Sequence, residues 1–254
     1  MADSVGIPLV RVDAVPPEAS CIIDDEMQAD SPSSHPDLRA VPVPTYVYWG
    51  GSNLYVNLTS RCSAACTFCL RSFTWEVFGY DLHLFREQEP EAAQVIAAME
   101  VELDTRSPRE VVFTGLGEPT LRLGALLEVL TWASSRRLRT RLDTNGHGQL
   151  LNPGHRVAEE LAQAGLAAVS VSLNAPDAAT YDALCRPKIQ GAFDAVLQFI
   201  QDAHRCGLEV TVTAVEVPGL DLTALMELAA GLDAALRIRR LVTAPTEPAE
   251  AGPS

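Results

Sequence analysis

"LYVNLTSRCSAACTFCLRS" (residues 54–72) joins two patterns. Its first half is a short run of apolar and β-favouring residues, as a buried strand requires. Its second half carries Cys62, Cys66 and Cys69 in the spacing C-x3-C-x2-C, with no fourth cysteine nearby. A strand that opens into a chemically loaded loop sets the phase for the rest of the chain. Upstream, the two strand-like runs of "TYVYWGGSNLYVNLTS" around "GGSN" predict a hairpin.

Downstream, helical and strand patterns alternate. "EQEPEAAQVIAAMEVEL" (87–103) has helical spacing and "EVVFTG" (110–115) is a short apolar strand. "TLRLGALLEVLTWASSRR" (120–137) is a helix whose last arginines suit the negative end of its dipole. "LRTRLDTNG" is a strand ending in a turn, and "NPGHRVAEELAQAG" a helix closed by Gly165. "LAAVSVSLN" and "LEVTVTAVEVPG" read as strands, with helices "APDAATYDALC" and "GAFDAVLQFIQDAHRCG" between them. "DLTALMELAAGL" is a helix capped by Asp221, and "ALRIRRLV" a last strand. This alternation means a parallel sheet with helical crossovers. A closed eight-unit barrel takes about 250 residues. Leu54 to Val242 offers about 190, room for six units. The expected fold is α/β: an incomplete, laterally open (β/α)6 TIM-like barrel, with a doubly wound sheet as the alternative.

Residues 45–242 form the expected folded unit. Residues 1–44, rich in Pro, Asp, Ser and Ala, read as a disordered acidic extension, and 243–254 as a disordered tail. The net charge is −14, of which residues 1–44 carry −6 and 45–242 another −6. Broad nucleic-acid binding needs a basic footprint that is missing here, though a substrate held by a few arginines is compatible. No stretch approaches 18 consecutive apolar residues and no secretory leader pattern opens the chain, so no membrane span or export is expected. Half of the six cysteines crowd one loop, which favours metal binding in a reducing, cytoplasmic compartment over disulfides.

The unusual residues fall after strands: the cysteine loop, "GLGEPT" (115–120), "DTNGHG" (143–148), "SLNAPD" (172–177) and "EVPGLD" (216–221). Active sites of parallel α/β folds lie on that side. Thiolates at short spacing suit an iron–sulfur cluster or zinc. Three of them leave one iron of a 4Fe–4S cube open, whereas a zinc site would be completed by His83 or Cys185. Gly115 and Gly117 permit close backbone approach to a ligand, or form an ordinary strand–helix turn with Pro119 at the helix start. Asp143 and Asn145 share one side of a strand end, as do Ser172 and Asn174; such residues contact a ligand or serve turn chemistry. Arg237 and Arg239 share a face of the last strand and are candidate anion binders. His147 is a candidate for lining the substrate space. Cys185 and Cys206 read as core cysteines.

"CSAACTFC", with Phe68 before the third cysteine, resembles the cysteine motif of radical S-adenosylmethionine enzymes. "GLGEPT", "LDTNG" and "VSLN" follow in that family's order. More narrowly, "NLTSRCSAACTFCLR", "SVSLNAPDAATYDALCRP" and "LRIR" resemble the TatD-linked subgroup, named for association with TatD-type hydrolases. The resemblance implies a 4Fe–4S cluster on Cys62, Cys66 and Cys69, with S-adenosylmethionine on the fourth iron. Reductive cleavage would yield a 5′-deoxyadenosyl radical that takes hydrogen from a substrate the sequence does not name. It further implies cofactor contacts from Phe68, Gly115, Gly117, Glu118, Asp143, Asn145, Ser172 and Asn174, and a flavodoxin- or ferredoxin-type electron donor. The family more often has two adjacent glycines where this chain has Leu116 between Gly115 and Gly117. Competing readings are an activase placing a glycyl radical on a partner protein, suggested by "LDTNG", and a non-catalytic iron–sulfur or zinc module.

Overall fold

The computed structural model describes residues 43–244. The expected tails over 1–44 and 243–254 lie, apart from two residues each, outside the described residues. β1 (Val47–Gly50) and β2 (Asn53–Asn57) form the expected antiparallel hairpin, with Gly50 opposite Asn53 and Gly51 at φ 56° in the turn. The long loop after β2 carries the cysteines and then a second, small hairpin, β3 (Glu76–Val77) with β4 (Tyr80–Asp81). Strands of two residues have no period to detect, so this hairpin escaped the sequence reading.

From there the order is α1 (Ala92–Leu103), β5 (Val111–Thr114), α2 (Leu123–Ser135), β6 (Thr140–Thr144), α3 (Gly148–Leu151), α4 (Val157–Gln163) and β7 (Ala168–Ser172). It ends α5 (Ala178–Cys185), α6 (Ala192–Arg205), β8 (Glu209–Glu216), α7 (Leu222–Gly231) and β9 (Ala235–Arg240). The helix expected from Asn152 begins five residues later, at Val157, because 152–156 turn, with Gly154 at φ 93°, after the short α3 ends at Leu151. Caps follow side-chain chemistry: Asp177 Oδ1 accepts from Thr180 N at 2.9 Å, and Asp221 Oδ1 from Ala224 N at 3.0 Å.

The large sheet runs β1-β2-β5-β6-β7-β8-β9, parallel from β2 onward. Strand order equals chain order. A doubly wound sheet reverses its order at a switch point, and this sheet has no reversal. Strand periodicity divides it into two faces. Val56, Phe113, Leu142, Val171 and Val212 are fully buried with helix residues such as Val95, Leu126, Leu161 and Ile200 in one core. The other face is polar. Arg141 and Asp143 stand on it, with Ser170 beside Asp143 and Thr211 beside Ser170. One row further on, Ser172, Thr213 and Arg237 are neighbours, and Arg239 follows beside Val215.

Candidate functional site

The cysteine loop is held from both sides. It leaves β2, and a strand-like seam then binds it to residues 184–188 at the end of α5. Thr67 N donates to Leu184 O at 2.9 Å, Ala65 N to Cys185 O at 3.1 Å, and Lys188 N to Ser63 O at 2.8 Å. Ala64 and Pro187 form a bridge in the same seam.

The three thiols are half-buried. Arg71 serves as their cation: its Nε lies 3.3 Å from Cys69 Sγ, and its charge reaches the sulfurs of Cys62 and Cys66 as well. Its other nitrogens donate to Ser60 O at 3.0 Å and Ala64 O at 3.3 Å, which fixes the guanidinium in place. Burial pushes the Cys62 thiol up to about 11. A hydrogen bond with Cys185, then burial, raise Cys66. Both are therefore neutral thiols in the protein alone, and metal binding must displace their protons.

Three soft sulfur donors on one braced loop, beside a fixed guanidinium, fit an iron–sulfur cluster. Among the described residues no three His, Cys, Asp or Glu side chains converge on a single-ion position. Of the two extra ligands weighed for zinc, His83 is engaged elsewhere, while Cys185 lies against the cysteine loop. His83 stacks between Trp75 and Phe85, with both ring separations 4.5 Å. The Cys185 thiol meets Cys66 and accepts from Asn174 Nδ2 at 3.5 Å.

In the loop after β5, glycine is required by packing against the chain itself. A Cβ on Gly115, at φ 145°, would lie 2.6 Å from Asn57 Oδ1. One on Gly117 would lie 2.6 Å from Arg61 O and closer still to Thr59 O. Glu118 is fully buried, and burial raises its pKa. Its carboxylate accepts from Thr120 N at 3.0 Å, Thr120 Oγ1 at 2.7 Å, Thr144 Oγ1 at 2.8 Å and Asn145 N at 2.7 Å. Glu118 N donates to Arg61 O at 2.8 Å. This residue ties the ends of β2, β5 and β6 together; its contacts are internal ones. Phe68 packs against the core rim.

At the end of β6, Asn145 faces the cysteine loop. Its Nδ2 lies 2.9 Å from Ser63 Oγ and 3.7 Å from Cys62 Sγ. Asp143 stands on the polar face in an ion pair with Arg141. Ser172 shares that face. Asn174 lies past the end of β7 in the left-handed region, φ 58°, where its Oδ1 accepts from Val215 N at 3.3 Å. The expectation that His147 lines the substrate space needs correction. The ring is fully buried beneath the cysteine loop, with Nδ1 2.9 Å from Ser63 Oγ and Nε2 2.7 Å from Tyr181 Oη. It follows a strand, but the chain turns into α3 at once and tucks it inward.

Arg237 and Arg239 lie on the polar face as their alternation implied. Arg239 Nη2 is 3.4 Å from Ser170 Oγ and 3.9 Å from Asp143 Oδ2. Sequence reasoning missed Arg141, Ser63 and Tyr181. The alternation of Arg139, Arg141 and Asp143 along β6 was a usable signal for the first. Ser63 and Tyr181 are linked to the site only by tertiary folding.

The sequence profile described as "Radical SAM superfamily" matches residues 56–230. A GTP 3′,8-cyclase of Corynebacterium glutamicum is 31% identical over 183 residues, 70% of this chain and 45% of the relative. An AdoMet-dependent heme synthase of Nitratidesulfovibrio vulgaris is 28% identical, over 61% of this chain and 38% of the relative. The chain thus spans less than half the length of these curated relatives. Among solved structures, Streptococcus suis SuiB bound to S-adenosylmethionine aligns with a TM-score of 0.59 and 17% identity, covering 76% of this chain and 41% of that one. Native anSMEcpe with bound AdoMet aligns at 0.54 and 17%, covering 78% and 54%. At such identities the structures speak for the fold, and the sequence profile for descent. The chain belongs to the radical S-adenosylmethionine superfamily, enzymes that work with a 4Fe–4S cluster and S-adenosylmethionine.

Proposed function

We propose that this protein is a radical enzyme that abstracts hydrogen from a small or RNA-linked substrate on the polar face of its sheet. The observation that carries the reading is the three-cysteine loop, braced at the carboxyl end of β2 by the seam to residues 184–188. Cys62, Cys66 and Cys69 would hold the cluster, which with S-adenosylmethionine supplies a 5′-deoxyadenosyl radical. Arg71 holds positive charge against the thiolates. Asn145 and Ser63 orient the loop from the β6 side. Gly115 and Gly117 let the strand ends close together, and Glu118 locks them. Asp143, Ser172 and Asn174 remain the proposed cofactor contacts, supported by their places at the ends of β6 and β7.

The sequential strand order supports a sheet curled into an incomplete, laterally open (β/α)6 barrel. The motifs favour the TatD-linked subgroup. A flavodoxin- or ferredoxin-type donor fits the exposed cations Arg186 and Lys188 beside the loop, on a chain whose net charge is −14. Among the described residues no helix is long and apolar enough to cross a membrane.

The test is anaerobic reconstitution followed by dithionite and S-adenosylmethionine. 5′-Deoxyadenosine is the expected product. A fully loaded protein that makes none overturns the proposal.

A further inference from the structure

Cys185 is a buried thiol at the end of α5 that the proposed chemistry does not use. The seam between the cysteine loop and residues 184–188 aligns it. Ala64 bridges Pro187, Ala65 N donates to Arg186 O at 3.2 Å, and Thr67 N donates to Leu184 O at 2.9 Å. The antiparallel count therefore sets Cys66 opposite Cys185. Opposed residues in such a pair stand about 4.5–5.5 Å apart between Cα atoms, inside the span of about 4.4–6.8 Å that a disulfide bridges. The two thiols already share a hydrogen bond. Asn174 Nδ2 steadies the Cys185 sulfur at 3.5 Å.

The other motif cysteines have polar neighbours of their own. Cys69 Sγ has Arg71 Nε at 3.3 Å, and Cys62 Sγ has Asn145 Nδ2 at 3.7 Å. Access to the pair is unequal: Cys66 is half-buried, whereas Cys185 is 1% exposed. A small oxidant arriving from solvent meets Cys66 first.

We infer that, when no cluster is bound, Cys66 and Cys185 are a reversible modification site, joined by a disulfide that peroxide makes and a dithiol breaks. The Cys66 sulfur takes one oxygen from hydrogen peroxide, releasing water, and becomes a sulfenic acid. The Cys185 sulfur then displaces that oxygen as a second water. Two thiol protons and two electrons leave, and one S–S bond forms. A sulfenic acid without such a partner goes on to sulfinic acid, which thiols do not reverse. That the bond blocks cluster assembly rests on Cys66 being a cluster ligand.

The test takes the full chain, stripped of iron by a chelator without oxygen, through hydrogen peroxide, denaturation, alkylation and trypsin. Cleavage after Arg61 and Arg71 puts Cys62, Cys66 and Cys69 on one peptide and leaves Cys185 on another. The expected product joins these peptides through Cys66 and separates with dithiothreitol. Uptake of iron and sulfide, offered without added thiol, should be lost with the link and return with its reduction. Cys206→Ser should keep the link, and Cys185→Ser should lack it. A bond that leaves out Cys66 or Cys185 overturns the inference, as does no bond at all. A Cys66–Cys185 link in protein that still takes up a full cluster upholds the disulfide and removes Cys66 from the ligand set.

Discussion

Tyr181 Oη and His147 Nε2 lie 2.7 Å apart, out of contact with solvent, in the layer beneath the cysteine loop. Burial pushes His147 down to about 4 and raises Tyr181, so the ring is neutral and the phenol keeps its proton. The neutral ring donates from one nitrogen and accepts at the other, with Ser63 Oγ on Nδ1 and Tyr181 Oη on Nε2. Ser63 Oγ accepts from Asn145 Nδ2, so α5, α3, β6 and the cysteine loop share one polar chain.

That chain makes stability depend on pH. A histidine whose folded pKa is depressed binds fewer protons folded than unfolded. Its contribution is complete above the unfolded value of about 6.5 and is lost as pH falls toward about 4. The urea midpoint should drop across this window by the equivalent of about 3 kcal/mol. His147→Phe should be less stable at pH 7 but should lose most of the pH 6.5-to-4 slope. An equal slope in both proteins would defeat the assignment.

Glu89 gathers Thr59, Arg61 and Arg122 around one carboxylate. Despite a burial penalty, the hydrogen bonds from Arg61, Thr59 and Arg122 hold it down to about 2. Its contribution is present above the unfolded carboxylate range and lost as pH falls from about 4.5 toward 2. Glu89→Gln should cost about 2 kcal/mol at neutral pH and flatten acid unfolding in that window. Chemical denaturation from pH 7 to pH 2.5 reads both effects.

Gly117 has backbone carbonyls where a Cβ would go. Gly117→Ala should therefore move the start of the cysteine loop, whereas Gly124→Ala, with open space around it, should not. Iron and sulfide per chain after reconstitution should fall by about half or more in the first and stay at the wild-type level in the second. Normal loading in Gly117→Ala would show that the loop yields.

Cys66 shares a hydrogen bond with Cys185, yet only Cys66 has the motif spacing. Cys66→Ala should abolish both cluster assembly and 5′-deoxyadenosine formation. Cys185→Ser keeps a polar partner for Asn174 and should retain iron, at a stability cost of about 1 kcal/mol. Loss of the cluster in Cys185→Ser with Cys66→Ala still loaded would reverse the assignment.

The scaffold was legible because strand and helix patterns alternate: β5 is a short apolar run, and β7 and β8 alternate apolar residues with Ser or Thr. Asp221 announced its helix by capping chemistry. The placement of Arg237 and Arg239 was legible for a similar reason: a period of two fixes a shared face. What the sequence concealed depends on distant partners. His147 looked exposed because it follows a strand end, and nothing local reveals Ser63, 84 positions away, closing over it. Glu118 carried ligand chemistry in its motif, yet Thr144 and Asn145 occupy it from another strand.

The seam that secures the cysteine loop has a temporal consequence. Lys188 reaches the carbonyl of Cys62 across 126 positions, and its neighbours close the remaining contacts over similar spans. Contacts so remote in sequence form late, after loop-closure entropy has been overcome. During synthesis the thiols emerge well before their brace exists. Iron insertion should thus wait for translation to pass α5, and nascent chains arrested earlier should carry no cluster.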